Sequence, residues 1–336
     1  MHLGLYDTLV LLLDFNSLYP SIIQQFNICF TTIRYDKNSD CIAETPQGAV
    51  CRGILPTEIE HLVTQRQRKK RLLAKENDPE KKKQLDIEQK ALKLTANSMF
   101  GCLGFVQSRF YAKPIAALVT AKGREVSGSP NRFNNLSKFK VIYGDTDSIM
   151  VSTGDRDMNR AARIAKEITE LVNDKKSKIE LKHEATFRRM LLLNKKKYAA
   201  LAIQENGETK KELKGLDIVR RDWSMIAKTV GSDVVDAILN PDLSREDIVV
   251  EVSKLLSSVT NDIETTDLGK FVISKSLTRD PSQYGNEQQQ SHVAVARRMN
   301  ESGKQSYKKG DIVEYVICEV WTTFAVCRTI IQQKRR

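Results

Sequence analysis

Residues 9–15 read LVLLLDF, and this continuous apolar run closed by an acid restricts the fold more than any other stretch of the chain. A run this short and without alternation predicts a strand buried on both faces. Asp14 stands at its end. SLYPS follows, with Ser17 placed to cap a helix and Pro20 in that helix's first turn, where its missing donor does no harm. A second apolar run, VIYGDTDSIMV (141–151), is interrupted by two acids one residue apart, Asp145 and Asp147. A polar hairpin turn accounts for the interruption, because Gly144 followed by Asp145 is a turn signal. A metal site accounts for it as well. Side chains at i and i+2 of an extended segment point the same way, and adjacent carboxylates are costly unless a cation neutralises them.

Between the two runs lies a long polar stretch with helical signals. TEIE (57–60) directly after Pro56 is a capping box and predicts a helix from there to about Glu76. Asn77, Asp78 and Pro79 predict a turn, and a second helix continues to Gly101, which makes an αα-hairpin. From Gln65 to Lys93 there are eleven Lys and Arg against five acids. Over all 336 residues, 54 Lys and Arg against 42 acids give a net charge of +12. That excess favours a polyanionic partner, nucleic acid first and a membrane surface second.

The remaining chain reads as a helix over 112–125 ended by SGSP (127–130), mixed helical sequence at 157–175, and two strands about a basic turn at 190–203. Beyond Gly215 the pattern is mainly helical, with a polar loop from Asp280 to Ser291. The length suits one large or two to three small domains. The six cysteines form no CxxC pair and no zinc spacing with histidine, which predicts free, mostly buried thiols. Leu9 to Leu13 is too short to cross a bilayer and no signal peptide is evident, so a soluble intracellular protein is expected.

If the two acid-bearing strands are neighbours, their carboxylates converge on a hard cation such as Mg²⁺, which takes oxygen ligands and substrate phosphates. Arg66 and Lys70 share a helical face at i, i+4, as do Lys93 and Asn97. Carboxylates for two metals facing a cationic helix suit in-line phosphoryl transfer. The same cations read equally as a solvated helix face.

DFNSLYPSII (14–23), KLTANSMFG (93–101) and YGDTDS (143–148) resemble, in this order, three motifs of the family B DNA polymerases. KKY (196–198) resembles the family's KxY element and KGLDIVRRDW (214–223) its thumb-entry motif. The longer runs LLLDFNSLYPSIIQQFNICFTT and NSMFGCLGFVQSRFYAKPIAALVTAKGRE are similar to the family's alpha-type branch, and the resemblance covers roughly residues 3–318. It implies an α+β fold: a right-hand polymerase with an antiparallel-sheet palm, αα-hairpin fingers and a mainly helical partial thumb. The implied parts are palm at 1–55, fingers at 56–101, palm again at 102–213, partial thumb at 214–318 and a divergent tail at 319–336.

The implied activity is DNA-directed DNA synthesis, adding deoxynucleotides to a primer 3′-OH with two Mg²⁺ ions and release of pyrophosphate. Asp14 and Asp147 are then the direct metal ligands, with help from the Phe15 carbonyl, and Asp145 is a supporting acid. The amides of Ser17, Leu18 and Tyr19 would cradle the triphosphate of a dNTP, and Tyr19 would also reject a ribose 2′-OH. Arg66, Lys70 and Lys93 would grip phosphates, Lys93 also protonating the leaving pyrophosphate, and Asn97 would line the nucleotide pocket. Lys196 and Tyr198 would touch the primer end, while Lys214, Arg220 and Arg221 would hold the backbone of primer–template DNA or RNA-primed DNA. Primase and accessory polymerase subunits, a nuclear location and no membrane follow from the same resemblance.

The chain also departs from the pattern. Phe100 stands where the family has Tyr, and SGSPNRFNN (127–135) replaces what should be a continuous helix. The family's N-terminal and exonuclease-like regions and its cysteine-rich zinc-binding tail, the region that binds accessory subunits, are expected to be absent. DIET (262–265) is similar to an exonuclease motif but follows the polymerase motifs with no second acid cluster, and reads as coincidence. EVWTTFAVCRTIIQQKRR (319–336) matches nothing expected of a thumb. Two rival functions remain from the residues themselves. One is a catalytically weak or inactive, basic nucleic-acid-binding module with salt-sensitive, sequence-independent affinity. The other is a metal-dependent nuclease, which would leave the cationic hairpin idle.

Overall fold

The computed structural model describes residues 2–35, 42–48, 50–128, 139–173, 177–204, 206–285, 290–303, 305–317 and 327–328. They form a mixed α+β chain that divides into two compact units. The first holds residues 1–188 and the second essentially everything from Arg189 onward.

In the first unit, strands β1 (Gly4–Tyr6) and β2 (Val10–Phe15) lead into helix α1 (Leu18–Gln25). β2 is an inner strand. It pairs antiparallel with β4 (Ser148–Ser152) on one side and with the first part of β5 (Leu181–Asn194) on the other, while β3 (Lys140–Asp145) pairs with the outer edge of β4. This position is why the run has no polar alternation: Val10, Leu11 and Leu13 are all fully buried. The amphipathic helix α5 (Met158–Val172) buries Ala161, Ala165, Ile168 and Val172, one helical stripe, and is capped by the Asp157 side chain accepting from the Asn159 amide.

Helices α2 (Ile54–Lys75) and α3 (Pro79–Gly104) form the expected hairpin, and α4 (Lys113–Gly128) follows. Asp78 caps α3 through the Glu80 amide with Pro79 in the first turn. The capping box expected at Thr57 is overturned: α2 begins three residues earlier, at Ile54, with Gly53 in the cap position. The Thr57 hydroxyl instead donates to the Gly53 carbonyl, and Glu60 pairs with Arg52 and Lys178. The cap acceptors come from residues 27–32. Asn27 Oδ1 takes the Gly53 amide at 2.9 Å, Thr31 Oγ1 takes that of Ile54 at 3.4 Å, and Cys29 Sγ takes that of Leu55 at 3.3 Å. Gly53 is needed for this approach, since a Cβ there would lie 2.6 Å from that of Cys29. Cys29, Cys51 and Cys102 are free thiols; Cys29 is buried, while Cys51 is exposed, contrary to the mostly buried expectation. Of the segment 127–135, Ser127 and Gly128 end α4 and the rest lies outside the described residues.

In the second unit the end of β5, β6 (Lys197–Ile203) and β7 (Thr209–Lys214) form an antiparallel meander, with Tyr198 opposite Lys214. Ala199 of this meander packs with Leu216 and with Val235 and Leu239 of helix α6 (Met225–Leu239). The second compact unit starts at Arg189, and within it the meander shares an apolar cluster with the following helix. The buried Arg189 side chain donates to the Asn240 and Leu243 carbonyls, tying the loop that enters α7 (Arg245–Asp262). Strands β8 (Ile273–Ser276), β9 (Ile312–Ile317) and β10 (Cys327–Arg328) form a second small sheet, and helix α8 (Ser291–Glu301) packs against β9. Among the described residues no helix is long and apolar enough to cross a membrane.

Candidate active site

Asp14 occupies the last turn of pleat in β2, opposite Ser148 of β4 and Lys182 of β5. β3 and β4 are joined by the two residues Thr146 and Asp147, Thr146 in a left-handed conformation with φ 36°. The Phe15 amide donates to the Asp147 carbonyl at 2.7 Å, which joins the backbones of the two acid-bearing segments. The hairpin-turn and metal-site readings of GDTD are thus compatible in space. The two acids, however, do not share one extended face: Asp145 ends β3 and Asp147 lies in the turn.

The cleft beside this turn has a volume of about 320 Å³. Asp14, Phe15, Asp147 and Thr146 line it, with Ser17, Leu18 and Tyr19 from the start of α1, and Lys93, Asn97 and Phe100 from one face of α3. A second cleft of about 680 Å³ has Tyr19 and Asp147 in common with the first, together with Asp145, Thr120, Gly123 and Arg124. Asp145 thereby faces the second cleft and not the first.

Ser17 occupies the cap position of α1, but its expected side-chain cap is absent; it has φ 51° and ψ 59°, and its hydroxyl makes no cap bond. The Ser21 hydroxyl instead donates to the Asn16 carbonyl at 2.9 Å. A left-handed non-glycine residue costs on the order of 1 kcal/mol or more, and such residues gather at sites whose surroundings hold them. Here the first turn of α1 has no serine oxygen bonded to its amides, and such uncapped amides are the kind of group that binds an anion.

Electrostatically the cleft is divided. Burial, then the neighbouring Asp147 and Glu184 carboxylates, push the Asp14 carboxyl up to about 7, against the opposing pull of Lys93 and the Phe15 amide. Across the cleft, burial and then the charges of Arg66, Lys182 and Lys93 hold the Lys70 ammonium below its usual range, and burial does the same to Arg66. The cations of α2 and α3 therefore lie close enough to repel one another, although Arg66 and Lys70 do not line the cleft itself. Gln89, one turn before Lys93, was not distinguished in sequence. It is buried at 8% exposure, accepts from Arg66 Nε at 3.4 Å and donates to Asp86 at 2.9 Å. A buried glutamine on a charged helix was the available signal only once its burial was known.

Among the described residues no three His, Cys, Asp or Glu side chains gather as a metal cage. The acids that line the cleft are Asp14 and Asp147, and no His or Cys is among its described lining residues. That suits a hard cation completing its shell with water and phosphate oxygens, and does not suit zinc.

The remaining expected residues belong to the second unit. Lys196 is exposed, with φ 60°, in the turn between β5 and β6, and Lys214 is exposed at the end of β7. Tyr198 is buried at 8% exposure. Arg220 forms ion pairs with Asp217 and Asp222 of its own loop, and Arg221 is exposed.

A model of DNA polymerase family B matches residues 2–334, reaching well into the segment expected to diverge after 318. The mouse DNA polymerase alpha catalytic subunit is 45% identical over 333 residues, covering 94% of this chain and 23% of its own length. The corresponding subunit of Saccharomyces cerevisiae is 42% identical over 323 residues, covering 94% of this chain and 22% of its own length. The structure of the family B DNA polymerase from the archaeon Pyrobaculum calidifontis superposes with a TM-score of 0.65 at 29% identity, over 96% of this chain and 41% of that one. The chain thus spans less than a quarter of the length of these alpha-subunit relatives.

Proposed function

The chain belongs to DNA polymerase family B, and on that premise we propose that its cleft performs template-directed addition of deoxynucleotides to a primer 3′-OH. The observation that carries the reading is the gathering, in one cleft, of Asp14 and Asp147 with the amide end of α1 and with Lys93 and Asn97. In this reading residues 1–55 and 102–213, which carry strands β1 to β6 and all but the last residue of β7, are the palm, the hairpin of α2 and α3 is the fingers, and residues 214–318 are part of a thumb. Two divalent cations, Mg²⁺ by preference, would lower the charge of the reacting phosphate and the pKa of the attacking hydroxyl. Asp14, Asp147 and the Phe15 carbonyl would hold them.

The first amides of α1 and the cations Arg66, Lys70 and Lys93 would bind the triphosphate. Lys93, exposed on α3 and lining the cleft with Asp14 and Asp147, would donate a proton to the departing pyrophosphate. Tyr19 would limit the space at the sugar 2′ position and Asn97 would line the pocket. Asp145 would act from the second cleft, supporting the turn that carries Asp147. Lys196, Tyr198, Lys214, Arg220 and Arg221 would serve the primer–template, with Tyr198 acting mainly through packing and Arg220 through its ion-paired loop. DNA or RNA-primed DNA as substrate, primase and accessory subunits as partners, and the nucleus as location follow the alpha-subunit relatives and stand as parts of the same proposal.

Extension of a labelled primer–template with Mg²⁺ and dNTPs, beside Asp147→Asn, tests it. Extension lost in the variant is expected. No extension by either protein, with equal salt-dependent DNA binding by both, would replace the reading with that of a basic nucleic-acid-binding module.

A further inference from the structure

The Tyr19 ring is confined from two directions. Its centroid lies 4.3 Å from that of Phe100, with the planes 31° apart. On the side of the second cleft it meets Gly123 of α4, which is buried; a Cβ on this residue would stand 3.3 Å from Tyr19 Cε1 and 3.6 Å from Ile22 Cδ1. Gly123 does not have a positive φ, so no turn or left-handed conformation requires glycine there. In a helix interior glycine is the least favourable residue after proline. What its missing Cβ provides at this point is room for one ring.

We propose that Gly123 is a positioning residue for sugar selection: it sets how deeply the Tyr19 ring seats, and thereby how much space the first cleft leaves at the nucleotide 2′ position. The inference rests on the nucleotide reading of that cleft. With alanine at 123 the ring has to yield by a few tenths of an ångström, and Phe100 restricts the direction in which it can do so. Displaced toward Phe100, which lines the first cleft, the ring takes up space in that cleft. Room on the opposite side can be created separately, by shortening Phe100, so the two substitutions should be coupled.

The test is equilibrium titration of dNTP and of the matching rNTP, with Mg²⁺, onto the chain bound to a dideoxy-terminated primer–template, which needs no turnover. Gly123→Ala is expected to weaken dNTP binding by about 3- to 10-fold and to change the dNTP/rNTP affinity ratio by at least about threefold, the size of a small steric clash. In a Phe100→Leu background the same substitution should lose most of that effect. Melting should not fall, since alanine otherwise favours the helix. Should Gly123→Ala fail to fold, Phe100→Leu alone carries the test, because it frees the same ring and should lower the ratio. An affinity ratio unchanged within about twofold in the folded variants overturns the assignment of Gly123 alone. An unsubstituted chain that binds neither nucleotide overturns the nucleotide reading, and this inference with it.

Discussion

Neutralising Asp14 should stabilise the metal-free protein while removing its response to Mg²⁺. In the folded chain the Asp14 carboxyl titrates at about 7, against 3.8 as its ordinary value, chiefly through burial and then through Asp147 and Glu184. The folded state therefore holds this proton where the unfolded state has released it, and stability falls as pH rises from about 4 to 7. Each pH unit between the two values is worth about 1.4 kcal/mol, which sets a ceiling of about 4 kcal/mol. Because Asp14 is only partly buried, solvent screening reduces the expected penalty at pH 8 to about 1–2 kcal/mol. Asp14→Asn keeps the shape and removes the charge, so the variant should melt a few degrees above the parent at pH 8, at roughly 2–4 °C per kcal/mol for a unit of this size. The difference should shrink to a small remainder near pH 4, where the unfolded parent begins to take up the proton that the folded state already holds. Millimolar Mg²⁺ should raise the parent's melting temperature at pH 8 and leave the variant's nearly unchanged. Differential scanning fluorimetry across pH 4–8, with and without Mg²⁺, reads all three. A variant less stable than the parent at pH 8, or a difference that does not depend on pH, would refute the account of repelling, desolvated carboxylates.

Three further outcomes follow from packing and hydrogen bonding. Gly215→Ala should destabilise the second unit by more than about 2 kcal/mol in urea unfolding, because φ is +63° and the added Cβ would lie 2.0 Å from the Lys196 carbonyl oxygen. Phe187→Ala, at a fully buried position in β5 opposite Val10, should cost about 3–5 kcal/mol by the same measurement. Gln89→Leu should raise the nucleotide KM about fivefold in primer extension with little change in kcat, since Arg66 loses the acceptor that orients it; an unchanged KM would mean that the 3.4 Å contact does not fix the guanidinium.

The strands were legible because burial on both faces leaves a sequence mark: LVLLLDF has no alternation, and β2 is an inner strand. The hairpin was legible from charge and turn chemistry, and its C-terminal helix from Asp78 and Pro79. What escaped was set by contacts between distant segments. The start of α2 could not be read from TEIE, because its caps come from Asn27, Thr31 and Cys29 rather than from a neighbouring residue. Ser17 looked like a cap, yet its left-handed backbone turns the hydroxyl away from that task. The separation of Asp145 from the first cleft depends on where β3 ends, which an i, i+2 rule for extended chain cannot register. Gln89 stands in no motif, and Gly123 lies within a family-like run but without an assigned role; their contacts with Arg66 and with the Tyr19 ring appear only in the folded chain.

The bonds at the root of α2 have a mechanical consequence. Three side chains from residues 27–32 grip its first amides, and the Asn27 side-chain amide also holds the Cys51 carbonyl at 3.1 Å. The two-helix arm is therefore a cantilever with a clamped base rather than a door on a free pin. Load applied near the Glu76–Pro79 tip is met by bending along 22 residues of helix, or by a torque passed through the clamp into the segment that continues from α1. Since α1 begins at the cleft, a force on the far end of the arm is felt beside Asp14.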